Sequence, residues 1–110
     1  MSTSEPLIVD YFSDVLCIWA WIAQRRIEEM HEEWGSRVEL RYHYINLFGD
    51  TKSRIAKLWG DRGGYEGIGR HVQDAAASYE STPVNSDVWR SVRPKTSLNA
   101  HLVLKTCELH

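Results

Sequence analysis

Residues 8–20 read IVDYFSDVLCIWA, which joins an apolar run, two capping residue types and the opening of a helix. The unbroken apolar centre predicts a strand over Pro6–Phe12 that is covered on both faces. Ser13 and Asp14 both belong to the residue types that cap helices, because their side-chain oxygens accept from the first free N–H groups. A helix is therefore predicted from about residue 15 to residue 34.

Cys17 falls in or near the first turn of this helix. The unpaired N–H groups and the helix dipole at that end favour a thiolate, the form of cysteine that acts as a nucleophile. A Cys-x-x-Cys pair here would make a dithiol redox centre, but the fourth position is Ala20. The segment therefore predicts a single reactive thiol, with a buried structural cysteine as the alternative.

The next segments complete a βαβ unit. Gly35 is predicted to end the helix, and the alternation along Val38–Leu47 predicts a second strand. A strand, a helix of this length and a second strand favour parallel pairing with a right-handed crossover. The loop after the first strand then lies at the carboxyl end of the sheet, where open α/β sheets usually bind ligands. Cys17 is predicted to lie at that end.

The remainder of the chain is predicted to be helical. Short helices are expected over Lys52–Trp59 and Tyr65–Tyr79, and a last helix is expected to begin at Thr96 or Ser97. Two parallel strands would leave a sheet with unpaired edges, so we expect the chain to self-associate as a dimer, through an exposed sheet edge or by swapping.

Composition and charge exclude several classes of function. The 110 residues carry a net charge of −2, which argues against a nucleic-acid partner. No apolar run approaches the roughly 20 residues that span a bilayer, so no membrane partner is expected. The N-terminal stretch Met1–Pro6 lacks the basic and apolar regions of a signal peptide, and the two widely separated cysteines form no disulfide framework. A cytoplasmic location is expected. The histidines and cysteines show no metal-ligand spacing, so no metal site is predicted.

Residues 9–21 closely resemble the active-site segment of the DsbA-like thioredoxin-fold family. That family includes FrnE-type oxidoreductases and the branch of 2-hydroxychromene-2-carboxylate isomerases and kappa-class glutathione transferases. Tyr42–Leu47 looks like its second strand, and Pro83–Asn85 and Asn99–Lys105 resemble stretches of its inserted helical domain. The resemblance spans nearly the whole chain and is strongest at residues 9–21.

The resemblance implies an α/β fold. Residues 1–48 would form the N-terminal βαβ part of a thioredoxin-like domain with parallel strands, and residues 49–110 an incomplete helical insertion domain. The family's C-terminal β-β-α half, which carries a cis-proline beside the thiol, is absent from this sequence. We therefore expect the chain to correspond to the N-terminal portion of a larger fold.

The implied activity is thiol chemistry with one cysteine. The family's usual active-site motif is Cys-Pro-Trp-Cys, and Ile18 and Ala20 replace its proline and its second cysteine, so only Cys17 carries over as catalytic. The leading hypothesis is thiol–disulfide exchange or glutathione-linked chemistry on a small-molecule or protein substrate. A glutathione-dependent isomerase or transferase, and a catalytically degenerate binding module or fragment, are the alternatives. No cofactor is required, and glutathione is the one candidate.

Four further residues are candidates for binding substrate or cofactor: Ser13, Asp14, Trp19 and Asn46. Asp14 could tune Cys17 electrostatically or simply cap the helix. Trp19 could form a wall of a cleft or pack in the interior. Asn46 occupies a position that resembles a substrate-side loop of the family.

Two other residues are given structural roles. Trp21 is predicted to pack in the core. Cys107 could in principle resolve an adduct on Cys17, but a buried, inert thiol is the favoured interpretation.

Overall fold

The fold was described from a computed structural model, which covers residues 5–79, 82–85 and 87–110. Residues 1–4, which belong to the stretch Met1–Pro6 that was predicted not to be a signal peptide, lie outside this range. The elements in chain order are β1 (Leu7–Ser13), α1 (Ile18–Trp34), β2 (Val38–Tyr44), α2 (Thr51–Trp59), α3 (Gly64–Ala77), a π-helical turn (Val88–Val92) and α4 (Leu98–Glu108). Two 3₁₀ turns, Gly35–Arg37 and Gly60–Arg62, follow α1 and α2.

The two strands pair in parallel, as the sequence predicts. Leu7 lies opposite Val38 at one end of the ladder and Ser13 lies opposite Tyr44 at the other. The pairing ends one step later, where the Ile45 N–H donates to the Ser13 carbonyl at 2.9 Å. The chain then turns, because the Leu47 N–H donates back to the carbonyl of Ile45. The second strand is therefore shorter than the predicted Val38–Leu47.

Helix α1 begins at Ile18, three residues later than predicted. Cys17 is its N-cap, in an extended conformation (φ −79°, ψ 120°), and no side chain caps the helix. The capping role predicted for Ser13 or Asp14 is therefore wrong. The predicted end is confirmed: Gly35 terminates α1 with φ 49°, a conformation that glycine adopts without a Cβ clash, and its N–H donates to the His31 carbonyl.

The interior consists of two apolar clusters that the helices form. In the first, Ile18 and Ile22 of α1 pack against Ala75 and Ala76 of α3. The second contains Phe48, Ile55, Ile68 and Trp89, and Leu16 and Cys17 pack against it. The loop before α1 therefore lies where the βαβ unit meets the helices.

The strands are less covered than the sequence predicts. Leu7, Ile8 and Phe12 expose 66%, 47% and 60% of their surface, so the prediction of a strand buried on both faces is wrong for the described chain. The molecule is elongated, at 58 × 30 × 22 Å, with a radius of gyration of 16.6 Å. A compact domain of this length would have a radius of about 13 Å. The two-stranded sheet is therefore exposed to solvent on part of its surface, at Leu7, Ile8 and Phe12.

Helix α4 contacts β2 locally and carries one buried polar residue. Ser97 is its N-cap, in agreement with the predicted start, and is buried. Lys105 donates from Nζ to the Tyr42 carbonyl of β2 at 3.3 Å. The apolar residues Leu102 and Val103 of α4 are exposed. His101, at the end of the first turn of α4, is only 4% exposed. The helix is therefore anchored through polar groups.

Candidate active site

The Cys17 side chain is half-buried at the start of α1. Its N–H donates to the Asp14 carbonyl at 2.9 Å, and its own carbonyl accepts from Trp21 N–H at 3.2 Å. Cys17 is the N-cap, so it directly precedes the first-turn N–H groups, which have no partner within an α-helix, but its side chain makes no capping hydrogen bond to them. The predicted placement of Cys17 at a helix N-terminus, at the carboxyl end of β1, is confirmed.

A small apolar cleft of about 140 Å³ opens beside Cys17. Its walls come from the start of α1, from α3 and from the segment around the π-helical turn: Val15, Leu16, Ile18, Trp21, Val72, Val84, Asn85, Val88 and Trp89. Sites for drug-sized ligands have volumes of about 300–1,000 Å³. The cleft beside the thiol therefore has room for one side chain or a comparable group, and not for a whole tripeptide.

Tyr11 is a neighbour of Cys17 that the sequence analysis did not single out. Burial raises the pKa of Tyr11, and a smaller contribution in the same direction comes from the charge of Cys17. The phenol is therefore within electrostatic range of the thiol. Strand alternation is the signal that could have found it, since Tyr11 and Ser13 share the face of β1 that looks toward α1.

Ser13 and Ala20 lie on a second groove, of about 310 Å³, between the sheet and α1. Tyr11, Trp21 and Tyr44 also line this groove. By the resemblance at residues 9–21, Ala20 stands where the family has its second cysteine. The groove at this position is lined by the alanine methyl group and by the aromatic rings of Tyr11, Trp21 and Tyr44. Ser13 is thus near the thiol loop, although it does not line the cleft beside Cys17.

Asp14 is fully buried and accepts three hydrogen bonds. Oδ1 accepts from the Leu16 N–H at 2.8 Å, and Oδ2 accepts from the Phe48 N–H at 2.9 Å and from the Ser97 hydroxyl at 2.7 Å. The carboxyl group therefore joins the loop before Cys17 to the β2–α2 loop and to the start of α4. This use of both oxygens explains why Asp14 does not cap α1.

His101 completes the same polar cluster. Its Nε2 lies 3.0 Å from the Val15 N–H, and its Nδ1 lies 2.9 Å from Asn46 Oδ1. The ring stacks on Tyr44 with 4.8 Å between centroids. Periodicity alone did not reveal His101, but its spacing from Ser97 is a usable signal, because residues four apart share a helix face.

Of Trp19, Trp21 and Asn46, only Trp21 lines the cleft beside Cys17. Trp19 makes edge-to-face contacts with His71 and Tyr79 and does not line the cleft beside the thiol. Trp21 lines it instead: the ring is half-exposed, contrary to the core position predicted for it, and its Nε1 donates to the Pro83 carbonyl. Asn46 is engaged by His101 and lies outside the cleft.

Cys107 is exposed on α4, so the prediction that it is buried is wrong. Cys17 and Cys107 are both free thiols. In the described residues, no group of three or more histidine, cysteine or acidic side chains is arranged to hold a metal ion. None of the helices described has both the length and the apolar character needed to cross a bilayer.

A family model, described as DSBA-like thioredoxin domain, matches residues 8–81. The match covers more than half of the 110 residues and includes the whole of the Cys17 loop. The chain belongs to the DSBA-like thioredoxin domain family. This confirms the resemblance noted at residues 9–21 and the thioredoxin-like βαβ fold at the level of the family. No match was found among curated proteins or among solved structures.

Membership of the DSBA-like family makes the chain thiol oxidoreductase-like in general character. Cys17, Tyr11 and Asp14 lie within the matched residues, whereas Ser97, His101 and Cys107 lie beyond residue 81. The partners that hold Asp14 and the loop before Cys17 therefore come partly from a region that the family model does not describe.

Proposed function

We propose that the protein carries out thiol–disulfide exchange with Cys17 as its only active-site thiol. The observation that supports this most directly is the position of Cys17, half-buried as the N-cap of α1 beside a small apolar cleft. The cleft offers room for one apolar group next to a substrate sulfur. A helix N-terminus is in general a position that favours the nucleophilic form of a cysteine.

The exchange proceeds in two steps. The Cys17 thiolate attacks one sulfur of a substrate disulfide, so that a mixed disulfide forms while the substrate S–S bond breaks and its second sulfur leaves as a thiolate and takes up a proton. Because position 20 is alanine, a thiol from outside the motif must attack the mixed disulfide and release Cys17. In this second step the outside thiolate attacks the substrate sulfur, so that a disulfide forms between that thiol and the substrate while Cys17 leaves as a thiolate and takes up a proton. Glutathione is our candidate for this second thiol, consumed as a reactant and not held as a resident cofactor.

In the Cys107→Ser background, which removes the exposed second thiol, replacing Cys17 by serine is expected to abolish mixed-disulfide formation, because a hydroxyl cannot form a disulfide. The measurement is intact-mass spectrometry after incubation with a small aromatic disulfide, followed by addition of reduced glutathione to release the adduct. The matched control is Cys107→Ser, which removes the exposed thiol and should leave the Cys17 adduct and its release unchanged.

Two further measurements, of glutathione-dependent activity and of Cys17 reaction rates, could assign a different role to Cys17. A Cys17→Ser variant that retains glutathione-dependent isomerase or transferase activity would contradict exchange, since a hydroxyl can still hydrogen-bond a bound thiolate. Equal reaction rates for native and denatured Cys17 in the Cys107→Ser background would contradict both enzymatic roles and favour a binding module.

We further propose that the chain self-associates through its sheet. In the described residues the sheet consists of two strands, so the outer edge of β1 has no strand partner, whereas on β2 Lys105 already donates to the Tyr42 carbonyl. Ile8 and Phe12 of β1 add exposed apolar surface. Light scattering is expected to show a dimer, and Ile8→Lys is expected to shift it toward monomer, because charge on an edge strand opposes pairing. A monodisperse monomer of the unsubstituted chain would contradict this proposal.

A cytoplasmic location is part of the same proposal. Both cysteines are free, and a single unpaired active-site thiol suits a compartment in which thiols stay reduced.

A further inference from the structure

The backbone immediately before Cys17 is held by two buried side chains, Asp14 and His101. The Leu16 N–H donates to Asp14 Oδ1 at 2.8 Å, and the Val15 N–H donates to His101 Nε2 at 3.0 Å. These two N–H groups belong to the two residues that precede the thiol, so together they set the direction in which the chain enters α1. Asp14 is local to this loop, whereas His101 reaches it from α4.

The hydrogen bonds determine which nitrogen of His101 carries the proton. Because the Val15 N–H donates to Nε2, that nitrogen presents a lone pair and the ring proton lies on Nδ1, which donates to Asn46 Oδ1 at 2.9 Å. Two ionisable side chains lie against the ring: the Asp14 carboxyl, with Oδ1 3.5 Å from Nε2, and the stacked Tyr44. A proton on Nε2 would turn that nitrogen from acceptor to donor, toward Asp14 and away from Val15.

We propose that His101 is a positioning residue for Cys17, whose neutral ring holds the Val15 N–H so that Cys17 stays at the N-cap of α1. The proposal rests on the proposed function, in which Cys17 is the nucleophile. It gives α4 a role in the chemistry that does not require contact with substrate. It also explains why a polar residue takes the buried position of α4 while its leucines are exposed.

Two variants separate positioning from general packing. The amide of glutamine reaches the place of Nε2, so His101→Gln keeps an acceptor for Val15, whereas His101→Asn reaches only the place of Nδ1 and loses it. Both variants lose the ring stacked on Tyr44, and they differ from each other by one methylene and by the position of the amide. In each variant the Leu16 N–H keeps its Asp14 acceptor and serves as an internal reference.

The expected result is a selective loss in His101→Asn. Hydrogen exchange at the Val15 amide should accelerate about two- to tenfold in that variant, the factor expected from one lost hydrogen bond, while the Leu16 amide changes much less. Alkylation of Cys17 at neutral pH in the Cys107→Ser background should slow about two- to fivefold, the factor of a weakened helix-terminus interaction. His101→Gln should remain close to the unsubstituted chain in both measurements.

A measurement on the unsubstituted chain does not depend on the folding of any variant. Nitrogen-15 NMR of the His101 ring at neutral pH should show Nδ1 protonated and Nε2 unprotonated. A proton on Nε2, or equal effects of the two substitutions on Val15 exchange, would overturn the proposal. If instead Cys17 proves no more reactive in the native than in the denatured chain, the proposed function fails, and the ring tautomer and Val15 exchange still decide whether His101 holds the loop.

Discussion

Replacing Asp14 by alanine is expected to lower the free energy of unfolding by about 3 kcal/mol or more. The substitution leaves three donors without their acceptor: the N–H groups of Leu16 and Phe48 and the hydroxyl of Ser97. Asp14 is fully buried, so water does not replace the lost acceptor without a rearrangement of the loop. Each unsatisfied buried donor costs about 1–3 kcal/mol. Urea denaturation followed by circular dichroism measures the change.

The matched control for Asp14→Ala is Asp10→Ala on the preceding strand. Asp10 is exposed and pairs with His43 at 2.7 Å, and an exposed pair of this kind contributes about 0–1 kcal/mol. Loss of this pair in Asp10→Ala should change the midpoint of urea unfolding only slightly. If Asp14→Ala does not fold at all, Ser97→Ala provides a milder test, since it removes one of the three hydrogen bonds and should cost about 1 kcal/mol. Equal stabilities of the Asp14 and Asp10 variants would contradict the role given to the buried cluster.

Replacing Gly67 by alanine is expected to destabilise the helical part by about 2–3 kcal/mol. A Cβ at this position would meet the Arg62 carbonyl carbon at 2.8 Å and its oxygen still closer, and both are backbone atoms that cannot rotate away. The clash forces α3 away from the Gly60–Arg62 turn, and with it Ile68, which belongs to the apolar cluster that contacts Cys17. Thermal unfolding is the measurement.

Gly60→Ala is the control for this substitution. A Cβ on Gly60 would meet nothing within 4 Å, and Gly60 has the helical angles φ −52° and ψ −46°. Alanine there should be neutral or stabilise the protein slightly, because it reduces the entropy of the unfolded chain. A Gly67→Ala variant with the thermal stability of Gly60→Ala would show that α3 does not approach the turn as closely as described.

The helices and strands were predictable from the sequence where hydrophobic periodicity and glycine positions within a few residues determine them. The apolar run of β1, the alternation of β2 and the glycine that ends α1 predict parallel strands joined by a helix, and the structure confirms this unit. The position of Cys17 close to the start of α1 was also predictable, although the helix begins three residues later than predicted and neither Ser13 nor Asp14 caps it. The helices α2, α3 and α4 were likewise predictable within a few residues from their spacing of apolar side chains.

The side chains around Cys17 were not predictable in this way. Asp14 resembles a helix cap in its local sequence, but its partners Phe48 and Ser97 lie 34 and 83 residues further along the chain. His101 reaches Val15 across 86 residues. Trp21, which was predicted to pack in the core, takes the place at the cleft that the sequence offered to Trp19.

The sequence by itself therefore determined the βαβ unit, the single thiol and its place at the N-terminus of α1, because backbone hydrogen bonding and hydrophobic periodicity act between near neighbours. Only the tertiary structure decided that Asp14 is a buried acceptor, that His101 holds the loop before the thiol and that Cys107 faces solvent. The physical reason is that burial and hydrogen bonding of a side chain depend on which remote segment packs against it. The local sequence of one helix or strand does not specify that segment.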